Sequence, residues 1–196
     1  MTADPEPGRE TATQEPSAWV ARFAPMIPEG GTVLDVACGS GRHARMFRDR
    51  GHPVVVLDRD VVGVSDMAVD PEVEIVARDL ESGRPWPLEG RSFAGVVVVN
   101  YLHRPLFPAL VRSVAPGGVL IYETFAAGNE RFGKPSNPDF LLHREELLIA
   151  VRPELQVVAY EDLEEQAPRH AVKQRVVAVR PEKPPAYSPA WRSSLP

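Results

Sequence analysis

Short runs of β-branched apolar residues alternate with amphipathic stretches from residue 32 onward. These runs lack polar alternation, which is typical of strands that are buried on both faces of a parallel sheet. They predict five parallel strands covered by helices. The runs are TVLDVA (32–37), PVVVLD (53–58), VEIVAR (73–78), FAGVVVVN (93–100) and VLIYET (119–124).

The segments around these runs carry apolar residues at helical spacing. Ser17 begins one of them, while Gly51 and a Pro-Gly-Gly turn (116–118) end two others, as expected at helix boundaries. The predicted helices lie in SAWVARFAPMI (17–27), GRHARMFRDRG (41–51), HRPLFPALVRSVAPGG (103–118) and REELLIAV (144–151).

The last third of the chain has a different pattern. LQVVAYED (155–162) and HAVKQRVVAVR (170–180) are strand-like runs joined by a short acidic connection. Two strands with so short a link predict an antiparallel hairpin rather than another parallel crossover.

The chain has 196 residues, enough for one domain with a sizeable core and too few for two comfortable ones. Residues 1–16 and 181–196 hold several prolines and few large apolar side chains, so we expect mobile tails around a domain at 17–180. No apolar run approaches the roughly 18 residues that span a membrane, and the N-terminus lacks the pattern of a signal peptide. We therefore expect a cytoplasmic protein without a membrane segment.

Charge and cysteine content bear on the partner, the cellular compartment and the need for a metal. The formal net charge of −5 disfavours nucleic acid as a partner, because proteins that bind the phosphate backbone usually carry a basic stripe. The single cysteine, Cys38, cannot form an internal disulfide, which fits a reducing compartment. The histidines and Cys38 show no metal-ligand spacing, so no metal is expected.

Candidate chemistry lies where the first three strands end. Gly39 and Gly41 allow a sharp turn into the next helix, whose N-terminus favours a negatively charged group. Asp58 follows Gly39 by 19 residues, a spacing suited to an acceptor of ribose hydroxyls. Asp79 ends the third run and can accept from an exocyclic amine. The third glycine of a dinucleotide-binding turn is missing, because Gly41 is followed by RHA.

These segments resemble a known family. VLDVACGSG, VVVLDRD, ARDLE and APGGVLIYETF match the class I S-adenosylmethionine-dependent methyltransferases in order and spacing, across roughly residues 30–180. The short format resembles their small-molecule and tellurite-resistance-like branch. The resemblance implies an α/β fold with a Rossmann-like seven-stranded sheet, made of five parallel strands plus a C-terminal antiparallel hairpin with helices on both faces. It also implies S-adenosyl-L-methionine as the cofactor.

The resemblance also assigns cofactor-binding roles. One departure is Ala37, which stands where the family has its first glycine. Asp35 would support the turn, and the turn residues Ala37, Cys38, Gly39, Ser40 and Gly41 would face the methionine portion, with Arg42 or His43 at its carboxylate. Asp58 would contact the ribose, and Asp79 with Leu80 the adenine, while Arg59 is a further expected cofactor-binding residue.

The fourth strand ends in NYLHRP (100–105), which in this fold lies next to the transferred methyl group. Asn100 is expected to contact the cofactor, and Tyr101 can face the sulfonium through a cation–π attraction. His103 is the candidate general base, since imidazole titrates near neutrality, and the alternative is that it caps the following helix. The run differs from the Asn-Pro-Pro-Tyr-like run of amide-methylating enzymes, which disfavours DNA adenine methylation.

A long connection follows the fifth strand. Residues 124–143 include Phe132, Asn137 and Phe140, a mixture suited to a lid, although a solvated excursion is the alternative. Glu123 at the strand end is either a partner for a substrate amine or a cap of this loop. Arg169, His170 and Lys173 form a basic group that could attract an anionic substrate or be an ordinary exposed turn.

The sequence thus predicts an S-adenosylmethionine-dependent methyltransferase that acts on a small molecule. Two alternatives remain open at this point. One is a methyltransferase of RNA or protein, and the other is a regulatory module that binds the cofactor without transfer. No oligomeric state is predicted.

Overall fold

The strands of the computed structural model, which describes residues 15–167 and 169–182, form one mixed sheet. In chain order they are β1 (Val33–Val36), β2 (Val54–Asp58), β3 (Val73–Ala77), β4 (Phe93–Val99), β5 (Val114–Phe125), β6 (Gln156–Glu165) and β7 (Ala171–Val179). Their spatial order is β3-β2-β1-β4-β5-β7-β6.

Pairing within the sheet confirms the predicted topology. β1 to β5 pair in parallel, and β7 is antiparallel to both β5 and β6. The carboxyl ends of β1 to β5 therefore lie at one edge of the sheet, which is where ligands bind in folds of this kind.

In the part of the chain that the structure describes, four α-helices cover the two faces of the sheet, as predicted. They are α1 (Ala18–Phe23), α2 (Arg42–Asp49), α3 (Phe107–Arg112) and α4 (Glu146–Val151). Trp19 of α1 and Phe47 of α2 pack in one buried cluster with valines of the central strands. Leu110 of α3 and Leu147 of α4 belong to a second cluster, on the opposite face.

The predicted helix over 103–118 is wrong in its second half. A 3₁₀ turn (Arg104–Leu106) leads into α3, which ends at Arg112, and β5 already begins at Val114. Both glycines lie inside this strand: Gly117 has a φ of +74°, and Gly118 lies too close to neighbouring backbone for a side chain. A Cβ on Gly118 would lie 2.8 Å from the carbonyl oxygens of both Ala115 and Phe93.

Most of the two predicted tails lies outside the described residues, which begin at 15 and end at 182. Within the described ranges, none of the helices has the length and apolar character that a membrane crossing requires.

Candidate functional site

The turn between β1 and α2 contains three residues in the left-handed region. The φ angles are +53° at Ala37, +55° at Gly39 and +73° at Gly41. A Cβ on Gly41 would lie 2.5 Å from Cγ1 of Val64, so glycine is needed there for packing as well as for conformation. A Cβ on Gly39 would meet nothing within 4 Å. The turn is thus packed at Gly41 and open at Gly39, where Gly39 and Ser40 are exposed.

Asp58 joins the end of β2 to this turn. Its Oδ2 accepts the N–H of Gly39 at 2.9 Å, and its Oδ1 accepts the N–H of Asp60 at 3.0 Å. The side chain is only half-buried, and each carboxylate oxygen has lone pairs beyond those two hydrogen bonds. Asp58 is therefore held in place while remaining able to accept from a ligand.

Asp35 has a different environment in the same region. It is 1% exposed, and its Oδ2 accepts the N–H of Ala44 at 3.1 Å, which satisfies one of the free donors in the first turn of α2. Burial raises the pKa of this carboxyl to about 7. Asp35 therefore connects β1 to α2 from inside the core.

A cleft of about 400 Å³ lies next to the turn, at the ends of β2, β3 and β4. Its walls combine apolar side chains with three carboxylates and two guanidinium groups. They are formed by Ala37, Asp58, Arg59, Arg78, Asp79, Leu80, Glu81, Tyr101 and Phe140.

The structure thus brings six of the site residues predicted from the sequence into one cleft. Arg78 and Glu81 were not predicted to line it, and Phe140 was named only as one residue of a candidate lid over residues 124–143. Arg78 and Glu81 flank the Asp79–Leu80 pair, so their adjacency to a strand end was an available signal. Phe140 reaches the cleft from the connection after β5, and the sequence did not indicate which of the side chains in that connection would do so.

Tyr101 presents an unpaired hydroxyl at the cleft. Its Oη is buried, lies close to the carboxylate of Glu81 and makes no hydrogen bond of good geometry among the described residues. Burial, reinforced by the nearby carboxylates of Glu81, Asp79 and Asp58, raises the pKa of this phenol. A buried hydroxyl without a partner is costly, so a polar ligand group that bonds to it would be favoured.

Cys38 and His43 are not among the residues that line this cleft. Cys38 is buried, and burial raises the pKa of its thiol. His43 is 3% exposed, and its Nε2 accepts the N–H of Ser17 at 3.1 Å, at the start of α1. Burial lowers the pKa of this imidazole to about 4. Arg42, the other predicted partner of the methionine carboxylate, is half-buried at the start of α2.

The end of β4 carries the remaining predicted site residues. Asn100 is exposed, has a φ of +57° and donates its N–H to the carbonyl oxygen of Glu123 at 2.9 Å. His103 is half-buried and precedes the 3₁₀ turn, but its side chain makes no capping hydrogen bond. His103 thus stands at the N-cap position of this turn, where its carbonyl oxygen accepts the N–H of Leu106 at 3.0 Å, while its ring does not take part in the cap.

The carboxylate of Glu123 is bonded to other side chains of the protein. It is 2% exposed, accepts from Oγ of Ser17 at 3.0 Å, and lies 2.6 Å from Nε of Arg175 and 3.3 Å from Nζ of Lys173. Its carboxylate therefore fastens α1 to β5 and β7. Lys173 belongs to this network and not to an exposed basic group facing a substrate.

Comparisons with known proteins agree with this arrangement. A family model described as "Methyltransferase domain" matches residues 9–164. Malonyl-[acyl-carrier protein] O-methyltransferase of Serratia marcescens is 34% identical over 105 residues, which cover 51% of this chain and 40% of that protein. The match thus spans less than half of that curated relative.

Solved structures share the fold at low sequence identity. TehB from Haemophilus influenzae has a TM-score of 0.66 and 15% identity, with 87% of this chain and 64% of that chain covered. Burkholderia thailandensis 1,6-didemethyltoxoflavin-N1-methyltransferase, solved with 1,6-didemethyltoxoflavin and S-adenosylhomocysteine, has a TM-score of 0.63 and 16% identity, with coverage of 84% and 77%. Because the family model covers most of the chain, this protein belongs to the methyltransferase-domain family.

Proposed function

We propose that the protein is an S-adenosylmethionine-dependent methyltransferase that transfers a methyl group to a small-molecule acceptor. The observation that carries this proposal is the cleft of about 400 Å³ that joins Ala37 of the glycine turn to Asp58, Asp79 and Tyr101. Its volume lies within the range of about 300–1,000 Å³ that is typical of small-molecule sites.

The residues present fit this cofactor. Asp58 would accept from the ribose hydroxyls and Asp79 from the adenine amine, as their free lone pairs allow. Leu80 and Tyr101 would flank the base. The open space above Gly39 admits the methionine portion against the backbone, and the unpaired Oη of Tyr101 offers a further donor or acceptor.

The cofactor, when bound, supplies an activated methyl group on a sulfonium, so the protein mainly has to align the acceptor and exclude water. Asn100, Tyr101 and His103 lie together at the end of β4, beside the cleft. The ring of His103 has no hydrogen-bond partner among the described residues. It is therefore the group we assign to accept a proton from the acceptor.

Charge and relatives support a small-molecule acceptor. The net charge of −5 disfavours nucleic acid, and one fold neighbour is a 1,6-didemethyltoxoflavin-N1-methyltransferase. We also propose the cytoplasm as the location, because the single cysteine fits a reducing compartment.

Calorimetry with S-adenosylmethionine and S-adenosylhomocysteine tests the cofactor assignment. We expect both to bind, and we expect Asp58→Ala to weaken binding at least about tenfold, since two ribose hydroxyls lose their acceptor. Asp49→Ala is the matched control, because Asp49 is an exposed acid at the end of α2. Absence of binding by the wild-type protein would exclude the proposed function.

A turnover assay separates transfer from mere binding. We expect formation of S-adenosylhomocysteine with at least one member of a panel of thiols, amines, phenols and oxyanions. His103→Ala should lower kcat while leaving cofactor affinity unchanged. Cofactor binding without turnover on any small acceptor would favour the alternatives, an RNA or protein substrate or a regulatory module.

A further inference from the structure

Phe140 is an exposed aromatic side chain at the edge of the cleft. It is 49% exposed, whereas its neighbours Leu141 and Leu142 are buried. An apolar ring of this size, left half in solvent beside Leu80 and Tyr101, presents a surface that a flat aromatic ligand could cover.

Arg104 holds the backbone on both sides of Phe140. Its Nη1 donates to the carbonyl oxygen of Asp139 at 2.7 Å, and its Nη2 donates to that of Leu141 at 2.8 Å. One planar guanidinium therefore spans the carbonyls that flank the phenyl ring, a geometry that the single ammonium of lysine cannot reproduce.

Arg104 is itself fixed at the start of α4. Its Nε lies 2.6 Å from Oε1 of Glu146 and its Nη2 lies 2.9 Å from Oε2, a bidentate pair that is partly buried. The Oε2 atom also accepts the N–H of His143 at 2.7 Å. Such pairs combine strength with a defined orientation.

The segment that carries Phe140 is anchored at both ends. Asn137 begins it, with its Oδ1 accepting the N–H of Asp139 at 3.0 Å. Leu142 ends it, donating its N–H to the carbonyl oxygen of Phe125 at 3.0 Å. We call residues 137–142 the strap.

We propose that the strap places Phe140 over the purine end of the bound cofactor, and that Arg104 is the positioning residue that keeps it there. This inference rests on the proposed function and deepens it, because it adds a purine-contacting residue from outside the strand ends. Arg104 follows Tyr101 by three residues, so one segment both lines the cleft and fastens the strap across it.

Affinity for S-adenosylhomocysteine tests the role of Phe140. Phe140→Ala should raise Kd about tenfold, because a stacked or edge-on aromatic contact and its buried area are lost. Phe140→Trp should retain affinity and change its fluorescence on ligand binding, measured as a difference from the wild-type protein. Ile149→Ala is the matched control, since Ile149 is another exposed apolar residue, on α4.

The test of Arg104 requires a readout that a merely structural role would not change. Arg104→Met should raise Kd about as much as Phe140→Ala, and the double variant should be no worse than either single variant. Arg104→Lys, which keeps the charge beside Glu146, should show a smaller loss. 5′-Methylthioadenosine contains the base and the ribose without the amino-acid end. Its affinity, measured by competition, should fall by the same factor in Phe140→Ala, in Arg104→Met and in the double variant.

The outcomes separate this inference from the proposed function. If the wild-type protein binds no S-adenosylhomocysteine, the proposed function fails. If the wild-type protein binds and Phe140→Ala binds equally well, only the strap proposal fails. Two results would overturn the positioning role of Arg104. One is that the losses of S-adenosylhomocysteine affinity add up in the double variant, and the other is that Arg104→Met binds 5′-methylthioadenosine as tightly as the wild-type protein does.

Discussion

Asp35 and Asp58 show how two carboxylates at one turn are assigned different tasks by their surroundings. Asp35 is 1% exposed and bonds to α2, with a pKa that burial raises to about 7. Asp58 is half-buried and faces the cleft. The first therefore supports the turn and the second is available to a ligand.

His43 leads to a prediction about pH. Its folded-state pKa of about 4 lies below the ordinary value of 6.5, mainly because of burial and also because of Arg42, with Glu123 opposing. The unfolded chain therefore binds the proton first on acidification. We expect His43 to cost about 3 kcal/mol of stability as the pH falls from 6.5 to 4.

The control must separate His43 from Asp35, because a raised carboxyl pKa makes the folded state more stable as the pH falls. His43→Gln keeps an acceptor for the N–H of Ser17 and does not titrate. We expect urea unfolding to show wild-type stability falling relative to this variant below pH 6.5. A pH-independent difference would contradict the burial of a neutral imidazole.

At the scale of elements, the β1–α2 turn separates packing from ligand access. Gly41→Ala should cost about 2 to 4 kcal/mol, because a left-handed conformation is combined with overlap with Val64. Gly39→Ala should cost only about 1 kcal/mol, yet its methyl group would project into the space assigned to the cofactor. Thermal unfolding and calorimetry on both variants check this, and equal effects of both on stability would contradict it.

Helix α1 depends on one hydroxyl group. Oγ of Ser17 accepts the N–H groups of Trp19 and Val20 and donates to Glu123. Ser17→Ala should destabilise the protein by about 1 to 2 kcal/mol, as loss of an N-cap does. Ser17→Thr should restore most of this in denaturant unfolding, and a neutral Ser17→Ala would show that the cap is dispensable.

Elements differed in how well local sequence predicted them. The valine-rich runs predicted β1 to β4 within a few residues, because buried strands need apolar side chains on both faces. The main exception to full burial is β3, which lies at the sheet edge and leaves Glu74 and Ala77 exposed. The Pro-Gly-Gly stretch led to a wrong helix end, because Gly117 supplies a left-handed conformation and Gly118 a close approach to β4, both within β5. A glycine in a sequence indicates only that a side chain would not fit or that the backbone conformation is unusual. Which neighbouring residue causes this depends on the fold.

At the scale of the whole molecule, net charge predicts the choice of partner. A protein of charge −5 should not bind RNA. RNA binding gains much of its free energy when Lys and Arg side chains of the protein displace the counterions of the phosphates. We expect fluorescence anisotropy of labelled single-stranded RNA to stay unchanged at low salt, with or without S-adenosylhomocysteine. Binding that weakens steeply with salt would instead support the RNA alternative.

By itself, the sequence determined the sheet, its closing hairpin and the strand ends at which Asp58 and Asp79 lie. These features follow from short-range rules, because periodicity, glycine positions and spacing are local properties of a chain. Tertiary structure alone decided that Glu123 is held by Ser17, Arg175 and Lys173, and that Phe140 reaches the cleft through Arg104. Those contacts join residues far apart in the chain, and only packing determines which distant side chains meet.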